Sequence, residues 1–296
     1  MSSNHKERET PFIVSLLAGG LAGTTVDVAL FPIDTLKTRL QSPSGFRAAG
    51  GFKGIYNGLG AAALGSSPGA ALFFGVYENF KVRISNYQND HENGILGQDP
   101  AVAHMMAASA GEAAACLIRV PTEVVKQNMQ IASDSSPGFA STVRSILAQK
   151  SSGGAFASVF GGLYRGYGIT LMREVPFALI QFPLYERFKL KWGEYRGAQV
   201  SPLQAAACGS VSGGIAAAFT TPLDVVKTRL MLGKDKNGII YKNAFDVGKR
   251  IVREEGWRTF LSGIEPRVMW ISIGGFVFFG AYEEYRALTM KALNFD

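Results

Sequence analysis

The chain is poor in charged residues, cysteine and histidine for its length. Asp, Glu, Lys and Arg together make up 18% of its 296 residues, whereas about 25% is usual in soluble domains. The two cysteines, Cys116 and Cys208, lie in separate apolar stretches without a CxxC motif, which excludes a disulfide framework. The three histidines are scattered along the chain, so a histidine-based metal site is not expected.

Motifs of enzymes and of targeting peptides are also absent. No Gly-rich loop follows a predicted strand, and the sequence shows neither a catalytic triad nor a set of metal ligands. We therefore expect that the protein is not an enzyme and uses neither a cofactor nor a metal. The polar segment 1–11 has mixed charge and is unlike a signal or transit peptide.

Long apolar stretches are abundant instead, since 47% of the residues are apolar. Six stretches approach the ~20 residues that a bilayer core requires, and Gly, Ala and Ser interrupt them, as is common where membrane helices pack together. We predict an all-α membrane protein with six transmembrane helices; a soluble helical protein with Gly-rich core helices is the alternative. The six stretches are residues 11–31, 59–80, 101–121, 166–190, 203–222 and 264–288.

Basic residues are concentrated in the three long loops 41–57, 132–165 and 232–262, which carry twelve Lys and Arg. The two opposite loops, 84–100 and 191–202, carry only two. The positive-inside rule places the long loops on the inner side of a membrane, so both termini of a six-span chain lie outside. The net charge of +7 suits an anionic lipid surface. Because these charges sit between spans, we expect no nucleic-acid partner.

A hexapeptide with proline, an acid two residues later and lysine five residues later occurs three times. It reads PIDTLK at 32–37, PTEVVK at 121–126 and PLDVVK at 222–227, and the prolines are 89 and 101 residues apart. Such spacing indicates internal repeats. We predict one domain, 1–296, whose repeats 11–90, 100–195 and 201–292 are related by a pseudo-threefold axis. Each repeat has the order span, inner loop with a short surface helix, span.

The charged residues of this motif predict a gate. An acid and a lysine three apart share one helix face, and intramembrane charges generally face a partner or a water-filled cavity. Three helices that converge at their inner ends can pair these charges around a ring. A second triplet near the outer ends of the other three spans predicts a second ring, and two gates around one cavity suit alternating access. The second triplet comprises Tyr77, Glu78, Lys81, Tyr185, Glu186, Lys189, Tyr282, Glu283 and Arg286.

In the third inner loop, four apolar residues fall on one helical face and three basic residues fall off it. This pattern predicts an amphipathic helix that either lies on the membrane surface or packs on the protein itself. The apolar residues are Ala244, Val247, Ile251 and Val252, and the basic residues are Lys249, Arg250 and Arg253.

The two triplets, present in every repeat, resemble the signatures of the mitochondrial carrier family over residues 11–290. The resemblance implies three parallel repeats of about 100 residues, a monomer in the mitochondrial inner membrane, and termini that face the intermembrane space. It also implies that the acid of one repeat pairs with the base of the next. The implied matrix gate pairs Asp34 with Lys126, Glu123 with Lys227 and Asp224 with Lys37. The implied cytoplasmic gate pairs Glu78 with Lys189, Glu186 with Arg286 and Glu283 with Lys81.

The resemblance has further implications for the gate and for lipid. A glutamine four residues after the lysine braces a matrix pair in this family; Gln41 and Gln130 match it, whereas Met231 does not, so the third pair is expected to be unbraced. The family's aromatic-basic-Gly motif for cardiolipin appears at 52–54 and 164–166. The third repeat has Leu-Ser-Gly at 261–263, which puts a lipid site there in doubt. Backbone amides at such helix starts suit phosphate.

A substrate site is expected at mid-membrane. Arg173 followed by Glu174 resembles the amino-acid carriers of the family, and a guanidinium can hold a carboxylate while the adjacent acid holds an ammonium. Asp27, five residues before Pro32, adds a negative charge to the cavity, and Trp270 or Phe73 offers a ring. The segments 31–41, 111–112 with 116–127, 172–176, 181–186 and 266–272 resemble the S-adenosylmethionine carriers, which exchange that substrate inward for S-adenosylhomocysteine outward. The resemblance then implies that Asp27 faces the sulfonium.

Several alternatives stay open. Asp27 could pair with a group such as Arg119, and Arg173 and Glu174 could pair with other buried residues. Glu112 has no obvious partner, so a structural hydrogen bond is as plausible for it as a contact with substrate. The chain could carry another cationic amino acid or a nucleotide-type cofactor. A scaffold protein that does not transport is disfavoured because both charge rings look intact.

Overall fold

The fold is built from six long helices of 29 to 32 residues. The structure, a computed structural model, describes residues 12–90, 100–131, 138–148, 161–198 and 200–292. At 1.5 Å per residue, each long helix exceeds the ~30 Å of a bilayer core. The long helices are α1 (Phe12–Gln41), α2 (Leu59–Asp90), α3 (Pro100–Gln130), α5 (Tyr167–Arg196), α6 (Pro202–Leu232) and α8 (Ile264–Ala292), and the short ones are α4 (Phe139–Leu147) and α7 (Ala244–Arg250).

By length and composition alone, two of the described helical stretches could cross a membrane, Leu59–Gln88 in α2 and Leu203–Leu232 in α6. Six transmembrane helices therefore stay a prediction, although six helices of sufficient length are present.

The long helices close into a ring. Helix α2 packs against α3, α5 against α6, and α8 returns to pack against α1, so most contacts join consecutive repeats. The first helix of each repeat contains the motif proline, Pro32, Pro121 or Pro222, without interruption. A proline inside a helix frees a carbonyl and bends the axis, which suits convergence of these three helices.

Small residues allow the close contacts of α6 with α8. A Cβ atom on Gly213 would lie 2.9 Å from Cγ2 of Ile271, and one on Gly214 would lie 2.7 Å from Oγ of Ser272. Between α2 and α3, a Cβ on Gly65 would meet the side chain of Thr122. A larger residue at any of these three positions would force the facing side chain to move, in accordance with the use of small residues in membrane bundles.

The inner loops differ between repeats. Repeats two and three carry the predicted short helices, α4 and α7. In repeat one, residues 42–58 form turns rather than the predicted surface helix. The reason lies in five glycines with positive φ, a conformation that breaks a right-handed helix. These glycines are Gly45, Gly50, Gly51, Gly54 and Gly58.

The apolar face of α7 packs on the protein. Val247 and Ile251 are fully buried in a cluster with Val225 and Leu230, so of the two alternatives the structure supports packing on the protein for these two residues. The helix ends earlier than its pattern suggests, because residues 251–255 form a π-helical turn. That turn leaves Val252 exposed.

A cyclic set of hydrogen bonds, here called the C-terminal belt, ties the inner ends of α1, α3 and α6. It is formed by the residues two positions after the motif lysines. Arg39 Nε donates to the carbonyl of Gln130 at 2.8 Å, Asn128 Nδ2 to that of Met231 at 3.4 Å, and Arg229 Nε to that of Gln41 at 3.1 Å. Carbonyls at a helix C-terminus lack intrahelical partners, so each side chain caps the next helix.

Candidate functional site

Three ion pairs join α1, α3 and α6 above the C-terminal belt. Each links the acid of one repeat to the lysine of the next, as the family resemblance implies for the matrix gate. Asp224 and Lys227 are buried, and the other four side chains are about one-fifth exposed. The pairs are Lys126 Nζ with Asp34 Oδ2 at 2.6 Å, Lys227 Nζ with Glu123 Oε1 at 2.8 Å, and Lys37 Nζ with Asp224 Oδ2 at 2.7 Å.

Glutamines brace all three pairs. Gln41 Nε2 donates to Asp224 Oδ2 at 3.1 Å, and Gln130 Nε2 donates to Asp34 Oδ2 at 3.1 Å. The expectation that the third pair is unbraced is wrong. Gln127 stands one helical turn after Glu123 and donates to its Oε1 at 3.0 Å, so a glutamine on the acid's own helix replaces the one missing at position 231.

Asp224 carries more positive charge around it than the motif predicts. Lys37 contacts Oδ2 of Asp224. Arg267 of α8 forms an ion pair with the other oxygen, Oδ1, and Arg173 Nη1 lies 3.8 Å from the same Oδ1. Arg267 is buried and also donates to Oγ1 of Thr220 at 2.8 Å. In the sequence, Arg267 stands out as a basic residue at the beginning of the last span and as part of the segment 266–272, but neither feature indicates its contact with Asp224.

The cytoplasmic triplets are arranged differently. Lys189 lies 3.5 Å from Glu186 of its own helix and 5.1 Å from the centroid of the Tyr185 ring. Glu78 is exposed and forms no ion pair with the described residues. The expected pair of Glu78 with Lys189 is therefore not formed in this conformation, because the i,i+3 partner is closer.

The remaining cytoplasmic residues are only partly described. Lys81 Nζ lies 5.8 Å from the centroid of the Tyr77 ring, and Tyr282 stacks with Phe278 at 6.1 Å. The side chains of Glu283 and Arg286 lie outside the described residues, and so do the two predicted pairs that involve them.

A cavity of about 600 Å³ lies against the three ion pairs. The six acids and lysines of these pairs contribute to its lining, so they close one end of it. The five predicted substrate residues also line it, from four different helices. They are Asp27 on α1, Phe73 on α2, Arg173 and Glu174 on α5, and Trp270 on α8.

The charged groups of the cavity fall into pairs, with one exception. Arg173 pairs with Glu174, and Arg119 pairs with Glu112 through two contacts of 2.9 and 3.3 Å. Glu112 thus has a partner that the sequence does not reveal, two helical turns away on α3. The alternative pair of Asp27 with Arg119 is not formed. Among the described residues, the Asp27 carboxylate has neither a hydrogen bond nor an ion pair.

The comparison with known families shows which kind of protein contains this cavity. A family model described as mitochondrial carrier protein matches residues 8–50, 46–88, 97–196 and 198–293. The chain belongs to the mitochondrial carrier family. Its members are membrane transporters, so the protein is a carrier and not an enzyme, and the charged cavity above a closed ring of ion pairs is that of a carrier.

Three relatives of high similarity cover nearly the whole chain. The mitochondrial S-adenosylmethionine carrier protein of Danio rerio is 49% identical over 93% of this chain and 97% of its own length. The protein of the same name from Mus musculus is 47% identical over 95% and 96%. The putative mitochondrial carrier protein PET8 of Saccharomyces cerevisiae is 48% identical over 95% and 96%.

Proposed function

We propose that this carrier exchanges S-adenosylmethionine for S-adenosylhomocysteine across the mitochondrial inner membrane by alternating access. The proposal is supported by the names of the relatives, two of which are S-adenosylmethionine carriers. The observation that carries it is the arrangement of charge in the cavity. One guanidinium–carboxylate pair, Arg173 with Glu174, and one carboxylate without a partner, Asp27, face the same space.

The amino-acid head of the substrate matches the α5 pair. The Arg173 guanidinium can hold a carboxylate bidentately, and Glu174 can accept hydrogen bonds from an ammonium group. The two side chains pair with each other here, so a zwitterionic head replaces one internal ion pair by two ion pairs with substrate. Little charge is then left uncompensated during binding, which matters in a partly buried site.

The third charge of the substrate is the sulfonium, and Asp27 is its proposed counter-charge. An unpaired carboxylate at a half-buried position favours a cation, and the sulfonium offers no N–H or O–H donor that would need a hydrogen-bond partner. S-adenosylhomocysteine has a neutral thioether at the same position. It therefore needs only the amino-acid and nucleoside contacts of the cavity.

The two gates supply alternating access. The conformation described has three braced matrix pairs and no pair of Glu78 with Lys189, which corresponds to a cavity closed on the matrix side. In the opposite state, the cytoplasmic triplets are expected to pair between repeats while the matrix pairs separate. Arg173 already lies 3.8 Å from Asp224, so substrate that engages Arg173 draws charge away from the gate.

The membrane setting completes the proposal. The protein works as a monomer with both termini in the intermembrane space, in accordance with the basic inner loops. Cardiolipin phosphates bind at the starts of α2, α5 and α8. Gly58, Gly166 and Gly263 directly precede these three helices, and all have positive φ, at 92°, 93° and 74°. Gly54 of the sequence motif lies earlier, in the turns before α2. The third site thus keeps the backbone conformation although it lacks the aromatic and basic residues.

The direct test is uptake of labelled S-adenosylmethionine into liposomes that contain the purified carrier. The vesicles are preloaded with S-adenosylhomocysteine, with lysine or with buffer. We expect rapid uptake only with the S-adenosylhomocysteine load. Uptake driven equally by lysine would support the alternative, a carrier of cationic amino acids. Absence of uptake with a folded protein would reject the proposed substrate.

A further inference from the structure

Two neighbours hold the ring of Phe73 in place. On α3, a Cβ atom on Gly111 would lie 3.0 Å from the carbonyl oxygen of Phe73 and 3.2 Å from its Cδ2. On α2, the Tyr77 ring is nearly parallel to that of Phe73, with a centroid distance of 6.0 Å and an angle of 6°. A ring held in this way presents a rigid apolar surface to the cavity that it lines.

Glu112 follows Gly111 directly and lines the same cavity. Its carboxylate is oriented by the two contacts from Arg119 and by Cys116, whose Sγ donates to Oε1 at 3.6 Å. An ionised carboxylate has about four acceptor positions, so capacity remains after these three contacts. Glu112 is one-quarter exposed, which leaves that capacity accessible from the cavity.

The pair of Glu112 with Arg119 carries no net charge, unlike Asp27. A neutral pair has little preference for a cation, because the guanidinium repels the cation that the carboxylate attracts. It is well suited to neutral polar groups that donate hydrogen bonds. A pair of neighbouring hydroxyl groups, as on a ribose, can donate to the two oxygens of one carboxylate.

We propose that Phe73, Gly111 and Glu112 form a nucleoside subsite between α2 and α3. The purine packs on the Phe73 ring, and the Glu112 carboxylate accepts hydrogen bonds from the ribose hydroxyls. This inference rests on the proposed function, since it assumes a substrate with an adenosyl group. It assigns the purine to Phe73 rather than to Trp270, and it separates nucleoside recognition on α2 and α3 from recognition of the amino-acid head on α5.

Fragments of the substrate test the subsite by competition with labelled S-adenosylmethionine. 5′-Methylthioadenosine contains the nucleoside without the amino-acid head, and S-methylmethionine contains the head and the sulfonium without the nucleoside. Glu112→Gln is expected to weaken inhibition by 5′-methylthioadenosine by about tenfold or more, as for a lost hydrogen bond to a charged group. Inhibition by S-methylmethionine is expected to change less than about twofold, because its contacts lie elsewhere.

A second variant acts on the ring without removing charge. Gly111→Ala places a methyl group against Phe73 and is expected to weaken the same fragment selectively. Ser109→Ala is the matched control on α3, since within the described part of the chain this exposed hydroxyl donates to the Met105 carbonyl and to no other group. This variant is expected to leave inhibition by both fragments unchanged. Thermal unfolding of each variant in detergent identifies loss of folding.

The outcomes distinguish the subsite from the proposed function. Equal weakening of both fragments by Glu112→Gln and by Gly111→Ala would overturn the subsite and make these residues purely structural. Unchanged inhibition by both fragments would overturn it as well. If the wild-type carrier takes up no S-adenosylmethionine, the proposed function itself fails, whereas uptake without selective loss in the variants rejects only the subsite.

Discussion

The buried guanidinium of Arg267 and the carboxylate of Asp224 form an ion pair between α8 and α6 at the inner end of the cavity. Asp224 also pairs with Lys37 at 2.7 Å and lies 3.8 Å from Arg173 Nη1, so three bases surround this one acid. The other two gate acids each pair with a single lysine. The first helix of repeat three, α6, is thereby joined to the second helix of that repeat, α8, as well as to α1 of repeat one.

Replacement of Arg267 tests this fastening. Removal of one partner of a buried ion pair lowers the free energy of unfolding by about 3–5 kcal/mol. Because Lys37 remains beside Asp224, we expect Arg267→Gln to lie at the low end of this range. We expect a clearly lower Tm in detergent than for Arg47→Gln, an exposed inner-loop control. Arg267→Lys should recover part of the loss. Equal Tm values for Arg267→Gln and the control would show that Lys37 alone suffices for Asp224.

The glutamine braces are expected to contribute unequally. Gln41 contacts both Asp224 and Thr228, the latter at 2.6 Å, whereas Gln127 contacts Glu123 from the same helix. A hydrogen bond to a charged group contributes about 1.5–3 kcal/mol. Gln41→Leu should therefore lower the Tm more than Gln127→Leu does, because it breaks a connection between helices. The reverse order would contradict the assigned contacts.

The C-terminal belt predicts a strong effect of Arg39. Its guanidinium is fully buried and donates to the carbonyls of Gln130, Gly51 and Gly54. Arg39→Met keeps apolar volume but leaves the buried Gln130 carbonyl and the more exposed carbonyls of Gly51 and Gly54 without this donor, and a buried acceptor without a partner costs about 1–3 kcal/mol. We expect very low yields of folded carrier. Asn128→Leu, which breaks a bond of 3.4 Å to Met231 and an intrahelical bond of 2.8 Å to Val124, should fold and lose only a few degrees of Tm.

The gate pairs should show energetic coupling. In a double-mutant cycle of Asp34→Asn and Lys126→Gln, contacting residues typically couple by about 0.5–3 kcal/mol. The same cycle with Asp34→Asn and Lys227→Gln should show less coupling, because Lys227 pairs with Glu123. Thermal unfolding of the four proteins in each cycle measures the difference. Equal coupling in the two cycles would contradict the specific pairing.

The motif spacing alone predicted that its acids and lysines can pair around a ring, and the family resemblance implied which acid meets which lysine; the three ion pairs agree with both. The motif did not predict Arg267, whose importance comes from the packing of α8 on α6 and not from a repeated pattern. Gln127 was not predicted for a similar reason. Its hydrogen bond to Glu123 takes the place of one from position 231, where the family's glutamine is absent. The turns at 42–58 were missed because glycine-rich segments adopt positive φ angles that hydrophobic periodicity does not reveal. The partner of Glu112, seven residues away, lies beyond the usual i,i+4 spacing.

The most direct test of the substrate assignment compares two ligands on one variant. Unlabelled S-adenosylmethionine and S-adenosylhomocysteine each compete with labelled S-adenosylhomocysteine for uptake by the wild type and by Asp27→Asn. Because Asp27 is proposed to face only the sulfonium, the variant should bind S-adenosylmethionine about tenfold more weakly and S-adenosylhomocysteine as well as before. Equal weakening of both ligands, or of neither, would contradict the assignment of Asp27 to the sulfonium.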